Sequence, residues 1–461
     1  MQKRKNEMNA SESSEGVTRR DFVRSVAAAG AVLAANGAPL ARATNAAALS
    51  ADTLNVAVIG TGQQGKGALI ESSVPAIPGI RYKAVCDIWD KNRNAAVDYL
   101  KLYGHEPKAY VDYQEMLAAE TDLDAVIVAT PDWMHAEHTI AALEAGHHVY
   151  CEKEMSNSLT GARDMVLAAR KAGKLLQIGH QRRSNPRYIH AVQRLVHDQK
   201  LLGRVTHANA HWNRSIAAAR DIGCSYADVL PAATLAKYGY ASMQQFLNWR
   251  WYKKYGGGPI VDLGSHQIDL FEWVFETTPR SVVASGGIDF HTHHEWYDNV
   301  LCIYEYETDH GICRAFYQTL TTSSHGGNSE AFMGENGTLL ISEVEARGNA
   351  VEKEKHAPDW NILVQQGLLK AEGQKVVQTK TKNTWLDARE SPGLPAWPLP
   401  IELAKKPHQP HMENFFDTIR GKSELNCPGE VGYATAFAVL AVNEAVRTNE
   451  RIIFTPSDFH V

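Results

Sequence analysis

No stretch of about 20 uninterrupted apolar residues occurs in the 461-residue chain, so no membrane-spanning helix is expected. Neither sign of charge prevails. Lys and Arg number 47 against 52 Asp and Glu, and the net charge of −5 gives no basic field to hold nucleic acid or an anionic membrane surface. Cysteine is sparse and scattered. Cys86, Cys151, Cys224, Cys302, Cys313 and Cys427 form no Cys-x-x-Cys pair, which indicates neither a zinc site nor a disulfide framework. Internal repeats and coiled-coil heptads are missing too. What is present is apolar mass: 44% hydrophobic residues, with 10 Trp and 17 Tyr, exclude general disorder. The length suggests two to three domains at roughly 150 residues each.

The N-terminus reads as an address. Residues 1–17 are polar, Thr18-Arg19-Arg20-Asp21-Phe22-Val23 follows, and a weakly apolar run from Val26 to Ala35 precedes Pro39 and Ala41-Arg42-Ala43. This order of charged, apolar and small residues resembles a twin-arginine export signal over residues 1–43. A periplasmic or otherwise exported protein is expected. That route carries folded proteins, which suits a cofactor acquired in the cytoplasm and held tightly.

From Leu54 the texture becomes strand–helix alternation. Asn55–Ile59, Tyr82–Cys86, Ala125–Ala129, His148–Cys151 and Leu175–Gly179 are short apolar runs, with helical segments at 93–103, 136–145 and 160–171 between them. Nearly continuous apolar strands alternating with helices predict a parallel sheet covered on both faces. Past residue 180 the runs alternate instead, as in Val300–Tyr306 and Ile312–Tyr317 around the turn Thr308-Asp309-His310-Gly311. The fold class is therefore α/β: an N-terminal Rossmann domain over 54–180 and a C-terminal α+β domain over 181–461 on an open, mostly antiparallel sheet. Residues 343–400 read as long loops, and 412–420 and 433–446 as closing helices.

The first strand runs into Gly60-Thr61-Gly62-Gln63-Gln64-Gly65. Alone the pattern is weak, but strand before, helix after and Asp87 ending the second strand supply the context of a dinucleotide site. Gly60 permits the tight turn, Gly62 lets a pyrophosphate approach, Gly65 lets helix and strand pack, and the helix N-terminus faces the phosphates. Asp87 accepts ribose hydroxyls and repels a 2′-phosphate, so NAD is favoured over NADP; Lys91 and Arg93 nearby temper that preference.

Two further segments carry reactive groups. Cys151-Glu152-Lys153 ends the fourth strand, where open parallel sheets bind ligands. Gly256 to Asp269 contains Asp262, His266 and Asp269, which share one face if helical. An imidazole beside a carboxylate composes a general base, although a structural histidine with a helix cap has the same spacing. Substrate contacts are expected from Arg182 and Arg183, from Trp212 and Arg214, and from Trp251 and Tyr252, because aromatic faces suit C–H surfaces and Arg suits hydroxyls or carboxylates. Core packing explains such clusters equally well. His291-x-His293-His294 lacks a full ligand set and reads as a polar loop, so no metal is expected.

Taken together, the glycine loop, Ala129-Thr130-Pro131 with His135, Ala145-Gly146 through Glu152-Lys153, and Gly257-Gly258 through His266 resemble the glucose–fructose oxidoreductase, inositol dehydrogenase and rhizopine catabolism (Gfo/Idh/MocA) family over roughly residues 54–345. The resemblance implies that Thr130, Pro131, His135 and Glu152 border the cofactor. It puts Lys153 beside the nicotinamide and the reacting hydroxyl, with His266 as acid/base oriented by Asp262. It also implies a homo-oligomer joined through the open sheet. Glu154 departs from the pattern, standing where the family carries proline. The activity implied is oxidation of a secondary hydroxyl of a sugar, polyol or glycoside. Since free NAD is scarce outside the cytoplasm, an exported member is expected to keep its cofactor. Transient oxidation leading to glycoside hydrolysis, and a non-catalytic sensor on the same fold, are the alternatives.

Overall fold

The computed structural model describes residues 52–219, 221–372 and 393–461. The export signal expected over 1–43 lies outside them, as does 373–392 of the stretch expected to be loops. No helix among the described residues is long and apolar enough to cross a membrane.

The first sheet contains β1 (Leu54–Ile59), β2 (Ile80–Cys86), β3 (Lys108–Tyr110), β4 (Ala125–Val128), β5 (His148–Cys151) and β6 (Leu176–Ile178). All are parallel, in the order β3-β2-β1-β4-β5-β6. Alternate residues of β1 serve opposite cores: Val56 and Val58 face one layer of helices, Ala57 and Ile59 the other. Burial on both faces is why these strands read as continuous apolar runs. The edge strand β3 escapes the sequence because three residues are too few to show a period.

The second sheet has nine strands. They are β7 (Val205–Asn213), β8 (Pro279–Gly287), β9 (Asn299–Thr308), β10 (Gly311–Leu320), β11 (Asn328–Gly334), β12 (Gly337–Ile341), β13 (Ala350–Lys353), β14 (Ala396–Pro398) and β15 (Ile452–Ile453). The order is β14-β13-β12-β11-β7-β10-β9-β8-β15, antiparallel except for the β7–β10 pair. The predicted hairpin forms, with Thr308 opposite Gly311. Central β7 gave no sequence signal because its buried positions, Ala208 and Ala210, are small and alternate with His and Asn. Residues 343–400 are not simply loops, since β13, the helix Asn361–Gln365 and β14 extend the sheet.

The chain also crosses back at residue 409. The helix Gln409–Ile419 sets Met412, Phe415 and Phe416 against Val56, Val58 and Ile127 of the first sheet. The helix Gly429–Thr448 buries Ala436 with the first sheet's core and Val439 and Val442 with the second's.

Candidate active site

The carboxyl ends of β1, β4 and β5 open onto a cleft of roughly 700 Å³. The β1 turn is built by glycine. Gly60 has φ +87°, and a Cβ there would lie 2.6 Å from the Ala129 carbonyl oxygen; a Cβ on Gly65 would lie 1.9 Å from the Gly60 oxygen. The helix Gln63–Ile70 therefore starts hard against the strand end. Of the residues expected to border the cofactor, Gly60, Gly62, Gln63, Gln64, Asp87, Thr130, Pro131, His135, Glu152 and Lys153 line the cleft, and Gly65 does not.

Asp87 anchors the loop. Its Oδ2 accepts from the Thr61 N–H (2.8 Å) and hydroxyl (3.2 Å), and its Oδ1 from the Trp89 N–H (2.8 Å). Carboxylate oxygens accept more than one bond, so it retains capacity for ribose hydroxyls. The two cations near it in sequence are occupied. Lys91 pairs with Asp228 at 2.7 Å, and Arg93 donates to the Asp87 carbonyl at 2.7 Å. These residues fit a dinucleotide: a glycine cradle, free N–H groups at a helix start and an acceptor at the second strand.

His135 differs from expectation. Its Nδ1 lies 2.7 Å from the Glu154 carbonyl oxygen and its Nε2 2.6 Å from that of Thr130. The ring braces the ends of β4 and β5 and has no nitrogen left for a ligand. Burial lowers its pKa against the pull of those carbonyls.

Lys153 lies beyond β5, and its Nζ donates to the Asp262 carbonyl at 2.6 Å. The following Lys153–Glu154 peptide is cis. Asp262 occupies the turn Ile260–Gly264, which leads into the helix Ser265–Phe275 and its buried His266. His266 lines neither the cleft nor the small notch beside it. It is 6% exposed, with Trp212 tilted over it at 5.5 Å and His180 edge-on at 6.2 Å. Burial, then the charges of Lys153 and Arg182, hold its pKa well below the usual range. The ring is neutral at pH 7, and its Nδ1 has no hydrogen-bond partner among the described residues. That is the form a general base requires.

Asp262 does not orient His266. Its carboxylate is taken by Arg250 (2.9 Å) and Arg214 (3.2 Å). Burial opposes its ionisation, but Arg250, Arg214 and Lys153 outweigh that and hold it well below the ordinary carboxylate pKa. Asp269, the second acid expected on the shared face, turns to Arg183 at 2.7 Å.

Arg182 and Arg183 are not substrate contacts. Arg182 is 1% exposed and paired with Glu330 (2.5 Å) and Glu343 (3.0 Å), and Arg183 is held by Asp269. A guanidinium this buried needs carboxylate partners; Arg182 finds them on β11 and just past β12, and Arg183 on the helix Ser265–Phe275, so the pair ties the exit of β6 to the second half of the chain. Tyr252 packs edge-on to Tyr255 and lines neither cavity. Arg214 and Trp251 do border a notch, shared with Arg250 and Asp262.

Three groups were missed in the sequence. Asp132 opens the helix Asp132–Glu144 on the cleft wall, and burial pushes its pKa up to about 7 against Arg250 and Lys153. His180, buried with neither ring nitrogen bonded, has a pKa lowered to about 4 by burial. His408 reaches from before the helix Gln409–Ile419 to Gln64 of the glycine loop at 3.0 Å. Only Asp132 had a local signal, an acid at a helix start behind a strand.

Fold and cleft define a two-domain dinucleotide-binding protein. Residues 54–180 match the model of an oxidoreductase family with an NAD-binding Rossmann fold, and residues 231–340 match the Gfo/Idh/MocA C-terminal domain. The chain belongs to the Gfo/Idh/MocA oxidoreductase family. Among curated relatives it is 34% identical over 171 residues to a 1,5-anhydro-D-fructose reductase of Ensifer adhaerens, covering 37% of this chain and 43% of that one. It is also 34% identical over 165 residues to an inositol 2-dehydrogenase of Klebsiella pneumoniae, covering 36% and 47%. The chain thus spans less than half the length of these relatives. In fold it resembles the aldose-aldose oxidoreductase of Caulobacter crescentus solved with glycerol (TM-score 0.64, 18% identity, 87% of this chain and 100% of that one). It likewise resembles the WlbA dehydrogenase of Bordetella pertussis solved with NADH and UDP-GlcNAcA (0.62, 18%, 87% and 99%).

Proposed function

We propose that the protein is an NAD-dependent dehydrogenase that oxidises a secondary hydroxyl of a sugar, polyol or glycoside, keeps its nucleotide between turnovers and regenerates it by passing the hydride to the carbonyl of a second sugar. One observation carries this reading: Lys153 lines the same cleft as Gly60, Gly62 and Asp87, and its ammonium reaches the turn that leads into neutral His266. The partly matching relatives, named for inositol and anhydrofructose, agree with a polyhydroxyl substrate.

Gly60, Gly62, Gln63 and Gln64 would hold the pyrophosphate, Asp87 the ribose, and Thr130, Pro131 and Lys153 the nicotinamide end. NAD, when bound, supplies a hydride acceptor. The chain supplies the proton chemistry. Lys153 holds the hydroxyl oxygen and stabilises negative charge developing on it. His266 is assigned the hydroxyl proton: burial keeps its ring neutral at neutral pH, and because it lines neither cavity the substrate hydroxyl must enter beyond the cleft wall to meet it. Arg214 and Arg250, fixed by Asp262, present guanidinium edges to substrate hydroxyls beside Trp251. Asp87, with Lys91 and Arg93 already engaged, favours NAD over NADP.

We also infer export of the folded holoprotein by the twin-arginine signal. Self-association through the outer face of the second sheet, where Leu301 and Ile303 are exposed, belongs to the same proposal. Denaturing the purified protein and analysing the released nucleotide tests the central claim. About one NAD per chain supports it, and a nucleotide-free protein that does not bind added NAD overturns it.

A further inference from the structure

We propose that Asp221, His293 and His294 form a binding site for a divalent transition metal of the zinc class, beside the substrate notch. The site is independent of the dehydrogenase reading. His293 and His294 lie on the connection between β8 and β9, and Asp221 follows β7 some 70 positions earlier in the chain. The fold brings one ligand atom of each within 4.8 Å of the others. His294 Nε2 is 3.1 Å from Asp221 Oδ1, and His293 Nε2 is 3.5 Å from Asp221 Oδ2. Tetrahedral zinc with bonds near 2.0–2.1 Å sets its ligand atoms roughly 3.3 Å apart, a spacing the His294–Asp221 Oδ1 pair already approaches while exposed His293 faces the other carboxylate oxygen. Two imidazoles with one carboxylate are the mixed nitrogen and oxygen donors that such an ion prefers over magnesium or calcium.

The donors are held in advance. His294 is buried and stacked between Trp251 (4.3 Å, 5°) and His291 (5.1 Å, 18°). Burial lowers its pKa, so the neutral ring is available as a ligand. Asp298 Oδ2 accepts from the N–H groups of Asp289, Phe290 and His291 and fixes the loop that carries the pair. Gln244 donates to Asp221 Oδ2 at 2.7 Å, an outer partner that orients the carboxylate. His293, 60% exposed, leaves an entry side. Three protein donors leave a fourth position for water or a ligand oxygen. Trp251 touches both places, stacking on His294 and lining the notch with Arg214 and Asp262, so the ion would brace the substrate end of the cleft.

The test uses the full chain without a polyhistidine tag, treated with EDTA, exchanged into chelator-free buffer and titrated calorimetrically with zinc chloride. His293→Ala and Asp221→Asn are compared with it. These positions are exposed or conservatively replaced, and circular dichroism checks folding. The expected result is one zinc per chain, affinity at least ~10-fold weaker in each variant, and a zinc-dependent rise in Tm that both variants lose. No stoichiometric binding by the unaltered chain, or equal binding by the variants, overturns the site and leaves Asp221 as the hydrogen-bond partner of His294 with His293 nearby.

Discussion

Lys153 Nζ donates a 2.6 Å hydrogen bond to the carbonyl oxygen of Asp262, 109 positions further along the chain. The bond joins the end of a strand in the first sheet to the turn that opens the His266 helix, so one lysine gathers both halves of the site. Replacing it with methionine keeps most of the volume and removes the charge. The expected result is a fall in kcat of about 10²–10³, the scale for losing one donor to a developing oxyanion, with bound nucleotide retained. Steady-state kinetics beside nucleotide quantification checks it. Loss of the nucleotide along with activity would make Lys153 a binding residue only.

Asp262 engages Arg250 and Arg214 rather than His266, which separates two roles that the Asp-x3-His spacing confounds. Asp262→Asn should free the guanidiniums and raise KM by about 10-fold, because it removes binding that ground state and transition state share. The acid limb of the kcat/KM profile should stay in place. A shift of that limb to lower pH would mean that Asp262 supports the His266 cation and would restore it as the orienting carboxylate.

The first domain was the more legible half. Its parallel strands are buried on both faces, so Val56 to Ile59 and Ala125 to Val128 announce themselves as apolar runs, and the glycine loop and Asp87 follow at fixed offsets. Motif order singled out Lys153 and His266, and the fold brings Lys153 to the turn that precedes His266. Partner choice was not legible. Whether Asp262 turns to an imidazole four residues on or to guanidiniums 12 and 48 residues away depends on where β7 and the Trp249–Trp251 turn lie. Arg182 and Arg183 misled for the same reason, since their carboxylate partners lie 86 to 161 positions away. Asp221 met the histidine pair only through tertiary contact.

The glycine loop can be tested at one methyl group. A Cβ on Gly65 would lie 1.9 Å from the Gly60 oxygen, a backbone atom that cannot rotate aside. Gly65→Ala should push the helix Gln63–Ile70 off the strand end and abolish nucleotide retention. Gly67→Ala, with nothing within 4 Å of the added carbon, should leave it unchanged. Nucleotide release on denaturation, compared across the two variants, reads the outcome.

The buried titratable groups predict how stability depends on pH. Burial raises Glu154 and Glu272 to about 8 and Asp132 to about 7, so between roughly pH 4.5 and 8 the folded chain binds protons that the unfolded chain has released. Their contribution is complete in acid and is lost as pH rises through those values. Burial lowers His180 to about 4, His138 and His411 to about 3, and His266 well below 6.5. Below pH 6.5 the unfolded chain takes up those protons first, and stability falls with pH. The two trends cross at about pH 6–7, where Tm should be maximal. Glu272 accepts a 2.8 Å bond from Thr435 through one oxygen, and its other oxygen has no partner among the described residues. Glu272→Gln removes its titration at little change of shape. Between about pH 5 and 7.5 the slope of stability against pH should shift upward by about 1.4 kcal/mol per pH unit, so the decline above pH 6 becomes shallower and the rise on the acid side steeper. Melting curves across pH 4.5–8.5 decide it: parallel profiles for the two proteins would mean that Glu272 is ionised in the fold and that Thr435 alone does not satisfy it.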